Sequence, residues 1–272
     1  MSNIAFIGAG NMNASIIKGL INSNTSSDNI MVSNPSPEKR EALEQSFGIK
    51  QSSSNIEAAN FASVIVLGVK PHFIADVCNE LSSQCDLSGK LIISVAAGIP
   101  VAQMQKLLPE QQAIVRAMPN TPAQIGLGMT GIYANENTSA TQKQLAETLL
   151  KSTGEAIWLG EEHQIDQITS LSGSGPAYFF LFMEAMEQHA KNYGFDTETS
   201  RKIVEQTALG AAAMVKQNQN TDIEVLRANV TSKGGTTQAA LETLVAGGLP
   251  QLVSKACNAA LHRAQELAQN NK

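Results

Sequence analysis

The chain has 272 residues, of which 43% are hydrophobic and 16% are charged, a balance typical of globular proteins and not of disordered ones. Its net charge of −5 argues against a nucleic acid partner. The three cysteines form no C-x-x-C pair and the four histidines are scattered, so we expect no metal site and a reducing compartment. We also expect a cytoplasmic protein without membrane contact, because no apolar run could span a bilayer and no signal peptide precedes the first strand.

A strand, a glycine turn and a helix follow one another at the start of the chain. The apolar run 4–7 leads into Gly8-Ala9-Gly10-Asn11-Met12, and helical periodicity begins directly after it. The first glycine permits a tight turn, the second lets a pyrophosphate approach the backbone, and the helix start supplies N–H groups for the phosphates. This order predicts a dinucleotide-binding turn, the alternative being an ordinary glycine turn that binds nothing. Asn13 stands where the third small residue of the fingerprint falls, which leaves open how closely the helix packs on the strand.

The following elements alternate between strand and helix and then become helical only. Apolar runs predict strands at 30–32, 64–69, 91–95, 113–115, near Ile132 and at 157–159, with helices at 38–47, 74–85, 101–108 and 140–152. After them, helical periodicity alone is found, at 176–193, 198–217 and 250–269, and its many small residues favour packing against a second subunit. We therefore predict an α/β protein with an N-terminal Rossmann dinucleotide-binding domain and mostly parallel sheet, residues 1–162. A C-terminal all-α dimerisation domain, residues 163–272, follows.

The end of the second predicted strand has no acidic residue. NAD-binding units usually place Asp or Glu there to bind the ribose 2′-hydroxyl. Here the segment is Val32-Ser33-Asn34-Pro35-Ser36, and Lys39 and Arg40 follow it. Such a loop would accept a 2′-phosphate, so we expect NADP, with NADPH preferred and with Ser33 and Asn34 among its contacts. The alternative is a polar turn that leaves NADH possible as well.

Three more loops fall at predicted strand ends, where they would line the cofactor crevice of a doubly wound sheet. The first is Gly68-Val69-Lys70-Pro71, in which Pro71 ends the strand and Lys70 would lie beside the cofactor. The second is Val95-Ala96-Ala97-Gly98. The third is Met118-Pro119-Asn120-Thr121-Pro122, a rigid loop that would turn Asn120 toward the nicotinamide.

Two glycine-containing segments open helices in the predicted second domain. Ser172-Gly173-Ser174-Gly175-Pro176 places a proline suited to a first helical turn, and Ser174 is a predicted substrate contact. In the segment 231–237, Gly234 and Gly235 allow close approach of a ligand, and the N–H groups after them form an anion cradle with Thr236 and Thr237. The alternative for each segment is a simple helix cap.

A catalytic base for alcohol oxidation is missing from this region. Two-domain hydroxyacid dehydrogenases carry G-x-G-x-x-x-K here, whereas Phe179 stands at the lysine position and no lysine occurs between Lys151 and Lys191. A substrate that is already electrophilic needs no such base. A cyclic imine is one, because a protonated C=N bond draws a hydride.

The chain resembles the Δ1-pyrroline-5-carboxylate reductase family over essentially its whole length. The resemblance lies in five signatures: Phe6-Ile7-Gly8-Ala9-Gly10-Asn11-Met12, Val69-Lys70-Pro71, Arg116-Ala117-Met118-Pro119-Asn120-Thr121-Pro122, Ser172-Gly173-Ser174-Gly175-Pro176-Ala177-Tyr178 and Gly234-Gly235-Thr236-Thr237. It implies a Rossmann domain, a homodimer with interlocked helices, often assembled further to a decamer, and a substrate site at the dimer interface.

The resemblance also implies residue roles. Position by position, the family's nucleotide site corresponds to Ile7, Gly8, Ala9, Gly10, Asn11, Met12, Ser33, Asn55, Val69, Lys70, Pro71, Ala96 and Ala97. The substrate-carboxylate loop corresponds to Gly235, Thr236 and Thr237, and Thr237 matches the hydroxyl that faces the ring nitrogen. Asn13 and Lys233 depart from the family pattern, which has Ala or Gly and commonly Pro at these positions.

The expected reaction is hydride transfer from NADPH to the imine carbon of 1-pyrroline-5-carboxylate, which gives L-proline in the last step of proline biosynthesis. Thr237 is the predicted catalytic residue, because its hydroxyl would bond or protonate the nitrogen. Two rival interpretations stay open at this point: a hydroxyacid or ketoacid dehydrogenase of the same architecture, and a nucleotide sensor without catalysis.

Overall fold

The computed structural model describes residues 2–270, without the side chain of the last of them, and the chain divides into two compact units. The first unit extends to Ser174 and resumes at Ala260, and the second comprises Gly175–Ala259. The domain boundary predicted between residues 162 and 163 stays a prediction.

The first unit contains eight described strands and seven of the described helices. The strands are β1 Ile4–Ile7, β2 Ile30–Ser33, β3 Lys50–Ser52, β4 Val64–Leu67, β5 Leu91–Ser94, β6 Ala113–Met118, β7 Gly128–Ala134 and β8 Gly154–Trp158. The helices are α1 Asn11–Asn22, α2 Pro37–Phe47, α3 Asn55–Phe61, α4 Ile74–Gln84, α5 Val101–Gln105, α6 Ala140–Lys151 and α7 Gln164–Ile168. Short 3-10 turns lie at Ser27–Asn29, Pro71–Phe73 and Thr121–Ile125, and a π-helical turn at Thr169–Gly173 follows α7.

The strands form a single sheet in the order β3-β2-β1-β4-β5-β6-β7-β8. The strand pairs are parallel except β6 with β7, which are antiparallel. The chain passes from β1 outward to β2 and β3 and then crosses back to β4 on the other side of β1, which creates a topological switch point between β1 and β4. This confirms the predicted Rossmann domain with a mostly parallel sheet.

Both faces of the sheet are covered, because alternate side chains of each strand point to opposite faces. On one face Phe6 and Val66 pack with Ile16 and Ile17 of α1. On the other face Ile65 and Leu67 pack with apolar residues of α4, including Ile74, Val77 and Leu81. The continuous apolar strands that the sequence showed are therefore the buried centre of a three-layer domain.

The second unit is helical in its described residues. Its helices are α8 Gly175–Asn192, α9 Thr197–Gln217, α10 Ile223–Asn229 and α11 Thr236–Ala246, followed by α12 Leu249–Asn270, which continues into the first unit. Val204 of α9 is buried, whereas four consecutive residues of α8, Phe179 to Phe182, are exposed. Such an apolar surface is typical of a face that another protein surface covers. Among the described helices, none is both long and apolar enough to cross a membrane.

Several predicted boundaries were wrong. The strand predicted at 64–69 ends at Leu67, because the chain turns at Lys70 and the 3-10 turn begins at Pro71. The helix predicted at 101–108 ends at Gln105, and the N–H groups of Leu107 and Leu108 both donate to Met104 O in a tightened last turn. Pro109 directly after that turn prevents a continuing helix.

Candidate nucleotide and substrate site

Four strand ends meet at one edge of the sheet. Ile7 of β1 is in register with Ser33 of β2 and with Leu67 of β4, and Leu67 is in register with Ser94 of β5. The loops that follow these strands contain most of the predicted nucleotide contacts. The fold therefore brings those loops to the carboxyl edge where doubly wound sheets bind their ligands.

The glycine turn after β1 is tied to its neighbours by backbone bonds and by close approach. Gly8 has a φ of +98°, and a Cβ atom there would lie 2.9 Å from Gly68 O. Both conformation and space therefore require glycine. Gly8 N donates to Ser33 O at 2.8 Å, and Ala9 N donates to Asn34 Oδ1 at 3.1 Å. These bonds fix the turn on the end of β2.

Helix α1 begins without a side-chain cap. Gly10 occupies the N-cap position, and no side chain accepts a hydrogen bond there. The first N–H groups of a helix have no carbonyl partner within it, so the amides of Asn11 and Met12 are suited to bind an anion, with the positive end of the helix dipole behind them. A Cβ atom on Gly10 would meet Gly68 O at an ordinary 3.7 Å, so the bare backbone leaves room for a phosphate.

A chain of three polar side chains lies behind the end of β2. Ser33 Oγ donates to Asn55 Oδ1 at 2.8 Å, and Asn55 Nδ2 donates to Glu80 Oε2 at 2.8 Å. Asn55 is the first residue of α3, and Glu80 lies on α4. In this arrangement the Ser33 hydroxyl gives its proton to Asn55 and keeps lone pairs for a ligand. The Glu80 carboxylate places negative charge close to the predicted ribose site. Glu80 was not among the residues predicted from the sequence.

Arg40 holds the loop that follows β2. Its Nη1 donates to Asn34 O at 2.9 Å and to Pro35 O at 3.2 Å, and its Nε donates to Gln51 Oε1 at 2.6 Å. Of the two cations predicted near this loop, Arg40 is thus fixed by hydrogen bonds, and Lys39 is exposed on α2. Arg40 supplies a positive charge at the loop while it organises the backbone there.

In each of the loops after β4 and β5, one of the predicted cofactor contacts is exposed. Val69 is half-buried, while Lys70 is exposed and precedes the 3-10 turn that begins at Pro71. Ala96 is buried and its N–H donates to Ser94 Oγ at 3.3 Å, whereas Ala97 is exposed. Lys70 and Ala97 are therefore accessible to a ligand, whereas Val69 and Ala96 are packed within the loops.

Asn120 uses its side chain to join three segments of the first unit. Its Nδ2 donates to Ser172 O at 2.9 Å, and its Oδ1 accepts from Met129 N at 2.9 Å. The residue is buried. The carboxamide thus links the 3-10 turn after β6 to β7 and to the π-helical turn. Its predicted contact with the nicotinamide stays a prediction, and the geometry gives the side chain a supporting role in this structure.

The second glycine segment opens α11 in the same manner as the first opens α1. Gly234 has a φ of +74°, and Gly235 occupies the N-cap position without a side-chain cap. Gly234 N donates to Gln238 Oε1 at 2.6 Å, which fixes the loop from inside the helix. A Cβ atom on Gly235 would lie 2.5 Å from Ser232 Oγ. The first-turn amides of α11 are therefore left for an anion, with Thr236 exposed and Thr237 half-buried beside them.

Ser174 lies at the end of the first unit, directly after the π-helical turn. Its N–H donates to Thr169 O at 2.9 Å, and its side chain is half-buried. Its predicted contact with the substrate stays a prediction. In the described part of the chain, no group of three His, Cys, Asp or Glu side chains is placed to hold a metal ion.

These features define the class of the protein. A doubly wound sheet whose first helix starts on an uncapped glycine turn is the fold that nucleotide-dependent oxidoreductases use for NAD or NADP. The observed groups fit such a cofactor, since the Gly10 backbone leaves space for a pyrophosphate, and Ser33 and Asn55 lie at the end of β2, where this class of fold binds the ribose. The chain thus belongs to the class of Rossmann dinucleotide-binding proteins and also has a helical unit.

Comparison with known proteins defines the family. Residues 162–267 match the family model described as pyrroline-5-carboxylate reductase dimerisation, and residues 3–98 match one described as NADP oxidoreductase, coenzyme F420-dependent. A pyrroline-5-carboxylate reductase from Vibrio alginolyticus is 47% identical over 264 residues, which cover 97% of each protein.

Two solved structures agree with that match. The pyrroline-5-carboxylate reductase from Coxiella burnetii is 43% identical with a TM-score of 0.94, and the match covers 98% of each chain. The pyrroline carboxylate reductase from Plasmodium falciparum, solved with NADP bound, is 29% identical with a TM-score of 0.86 and the same coverage. The chain belongs to the pyrroline-5-carboxylate reductase family.

Proposed function

We propose that this chain reduces 1-pyrroline-5-carboxylate to L-proline with a hydride from NADPH. The observation that carries the proposal is the pair of glycine-led helix starts, at α1 and α11, each without a side-chain cap. One suits a pyrophosphate and the other a carboxylate, which are the anionic groups of such a cofactor and such a substrate. Membership in the family supports the same reaction.

The cofactor would be held at the first helix start. The N–H groups of Gly10, Asn11 and Met12 would bind the pyrophosphate, and the loops containing Lys70 and Ala97 would lie along the nucleotide. NADPH supplies the hydride when it is bound. Its preference over NADH is supported by the lack of an acidic residue at 33–36 and by the fixed charge of Arg40, while the Glu80 carboxylate opposes it.

The substrate would be held at the start of α11. The amides of Thr236 and Thr237, aligned with the helix dipole, would bind the carboxylate. Gly234 and Gly235 keep the approach free of side chains. Because the imine carbon is already electrophilic, the chain needs to orient the ring and to donate a hydrogen bond to its nitrogen, and the Thr237 hydroxyl is the group proposed for that bond.

The proposal extends to assembly and location. The match to a dimerisation domain supports an oligomer, and the exposed apolar residues 179–182, which extend around α8, fit contact with a second copy. We place the helical dimerisation domain at residues 163–272, the homodimer as the basic assembly with further association to a decamer, and the enzyme in the cytoplasm. Sedimentation of the purified chain gives the subunit number directly.

The test is steady-state oxidation of NADPH by the purified chain with 1-pyrroline-5-carboxylate, followed at 340 nm. Saturating turnover with stoichiometric formation of L-proline is expected. Turnover with 3-hydroxy acids and none with the imine would instead establish the hydroxyacid dehydrogenase. Tight binding of NADP⁺ without turnover of either substrate would establish the nucleotide sensor.

A further inference from the structure

Asn13 lies fully buried in the first turn of α1, at the position where a dinucleotide-binding turn normally has a small residue. Its Nδ2 donates to Gly8 O at 2.7 Å and to Ile7 O at 3.3 Å. These carbonyls belong to the end of β1 and to the glycine turn itself. One side chain therefore ties the helix to the turn from which the helix begins.

Gly68, directly after β4, provides the space for this side chain. A Cβ atom on Gly68 would lie 2.3–2.4 Å from Oδ1, Cγ and Nδ2 of Asn13, a distance that no packed structure accepts. The Gly68 N–H donates to Ile7 O at 2.9 Å, the same carbonyl that Asn13 reaches. The volumes of residues 13 and 68 are thus complementary, although 55 positions of sequence separate them.

The Asn13 side chain is not optimised for stability alone. Among the described residues, no donor reaches Asn13 Oδ1, although this oxygen is buried. A buried acceptor without a partner costs stability, so an alanine at residue 13 with a methyl group at residue 68 would fill much of the same space at lower cost. Alanines at both positions could not, however, form the two hydrogen bonds that Asn13 donates to the turn.

We propose that Asn13 is a positioning residue that holds the Gly8 turn in its nucleotide-binding geometry, and that Gly68 is the partner that makes room for it. This rests on the proposed dinucleotide site at α1. By holding the carbonyls of Ile7 and Gly8, Asn13 fixes the course of the turn, whose own amides are bonded to Ser33 and Asn34. The fixed turn in turn places the amides of Gly10, Asn11 and Met12, which would bind the pyrophosphate. Asn13 therefore acts on the cofactor through the backbone.

The experiment is a double-mutant cycle in the full-length chain, with Asn13→Ala, Gly68→Ala and the double variant. Calorimetry of NADP⁺ binding and thermal unfolding are measured for each variant, without substrate. Asn22→Ala is the matched control, because Asn22 is an exposed residue at the opposite end of the same helix. It should leave the Kd for NADP⁺ unchanged.

Asn13→Ala should raise the Kd for NADP⁺ on the order of tenfold, the equivalent of about one net hydrogen bond. In the active enzyme the KM for NADPH should rise and the KM for the imine should stay constant. Gly68→Ala alone should lower the Tm sharply through overlap with Asn13. The double variant should regain a Tm at or above that of Asn13→Ala, because the new methyl group fills the void, while its Kd stays weakened.

Three results would overturn the proposal. They are a wild-type Kd in Asn13→Ala, a wild-type Kd in the double variant, and a double variant no more stable than Gly68→Ala. If Gly68→Ala does not fold, the Kd of Asn13→Ala and the Kd of the double variant, each compared with wild type, still decide the first two. A chain that binds NADP⁺ but does not reduce the imine would refute the proposed function and leave this cycle measurable.

Discussion

Replacing the buried Arg116 of β6 with methionine should strongly destabilise the first unit. Arg116 is 4% exposed, its Nη1 lies 3.0 Å from Glu162 Oε1, and its Nη2 lies 3.3 Å from Asp166 Oδ1. Glu162 Oε1 also accepts from Val101 N at 2.7 Å, so this cluster joins β6, the start of α5, the segment before α7 and α7 itself. Arg116→Met leaves two adjacent carboxylates without their cation, and removal of one partner of a buried ion pair costs about 3–5 kcal/mol. Since the carboxylates are 25% and 15% exposed, water offsets part of this, and we expect about 3 kcal/mol.

Urea unfolding, followed by the fluorescence of Trp158, measures this change, because the chain has one tryptophan and it lies in the first unit. Arg116→Lys, which keeps the charge but reaches the two carboxylates less well, should lose less stability than Arg116→Met. Adding Glu162→Gln and Asp166→Asn to Arg116→Met should recover part of the loss, since the unpaired charges are gone. If the free energy of unfolding of Arg116→Met lay within about 1 kcal/mol of wild type, roughly the value of an exposed ion pair, the Arg116 cluster would not be a buried ion pair in solution.

Three further outcomes are expected. Thr237→Ala should lower kcat by on the order of 10²–10⁴ if its hydroxyl acts as the general acid, while Thr237→Ser should keep most activity; a near-normal kcat in the alanine variant would remove the hydroxyl from the mechanism. Arg40→Gln should lower the ratio of kcat/KM for NADPH to kcat/KM for NADH by about twofold to fivefold, because it removes a cation near the proposed ribose site. Glu80→Gln should raise the same ratio, because it removes an anion there. If neither variant changed the ratio, these two charges would have no part in the choice between NADPH and NADH. Burial raises the pKa of the Cys78 thiol to about 12, so its thiolate fraction at pH 8 is about 10⁻⁴ and grows tenfold per pH unit. Labelling of Cys78 by iodoacetamide, measured by mass spectrometry, should therefore be far slower in the native chain than in urea. Equal rates would contradict the burial of this thiol.

The local elements of the site could be predicted from the sequence because their signals are local. The Gly8 turn and the start of α11 each combine glycines with a following helix, and the structure has a positive φ at Gly8 and at Gly234. The apolar runs that became the parallel strands were equally clear. Helix α3 was missed because it is short and buries only alanines, Ala58 and Ala59. Strand β3, a three-residue polar edge strand Lys50–Ser52, showed no apolar alternation.

The contacts that tune the site could not be predicted from the sequence, because each joins distant positions. The bond from Asn55 to Glu80 spans 25 residues, and nothing near Glu80 distinguishes it from an ordinary helix carboxylate. The sequence did show that Asn13 departs from the dinucleotide-binding fingerprint. It did not show why an asparagine fits there, because the space comes from Gly68, which has no Cβ atom.

We propose that the two uncapped helix starts, at α1 and α11, hold the two anionic groups of the reaction. A crystal structure of the protein with NADP⁺ and L-proline would show both positions at once. We expect the pyrophosphate on the amides of Gly10 to Met12 and the proline carboxylate on the first-turn amides of α11, with the Thr237 hydroxyl within hydrogen-bond distance of the ring nitrogen. Proline bound elsewhere, or a pyrophosphate away from the start of α1, would contradict it.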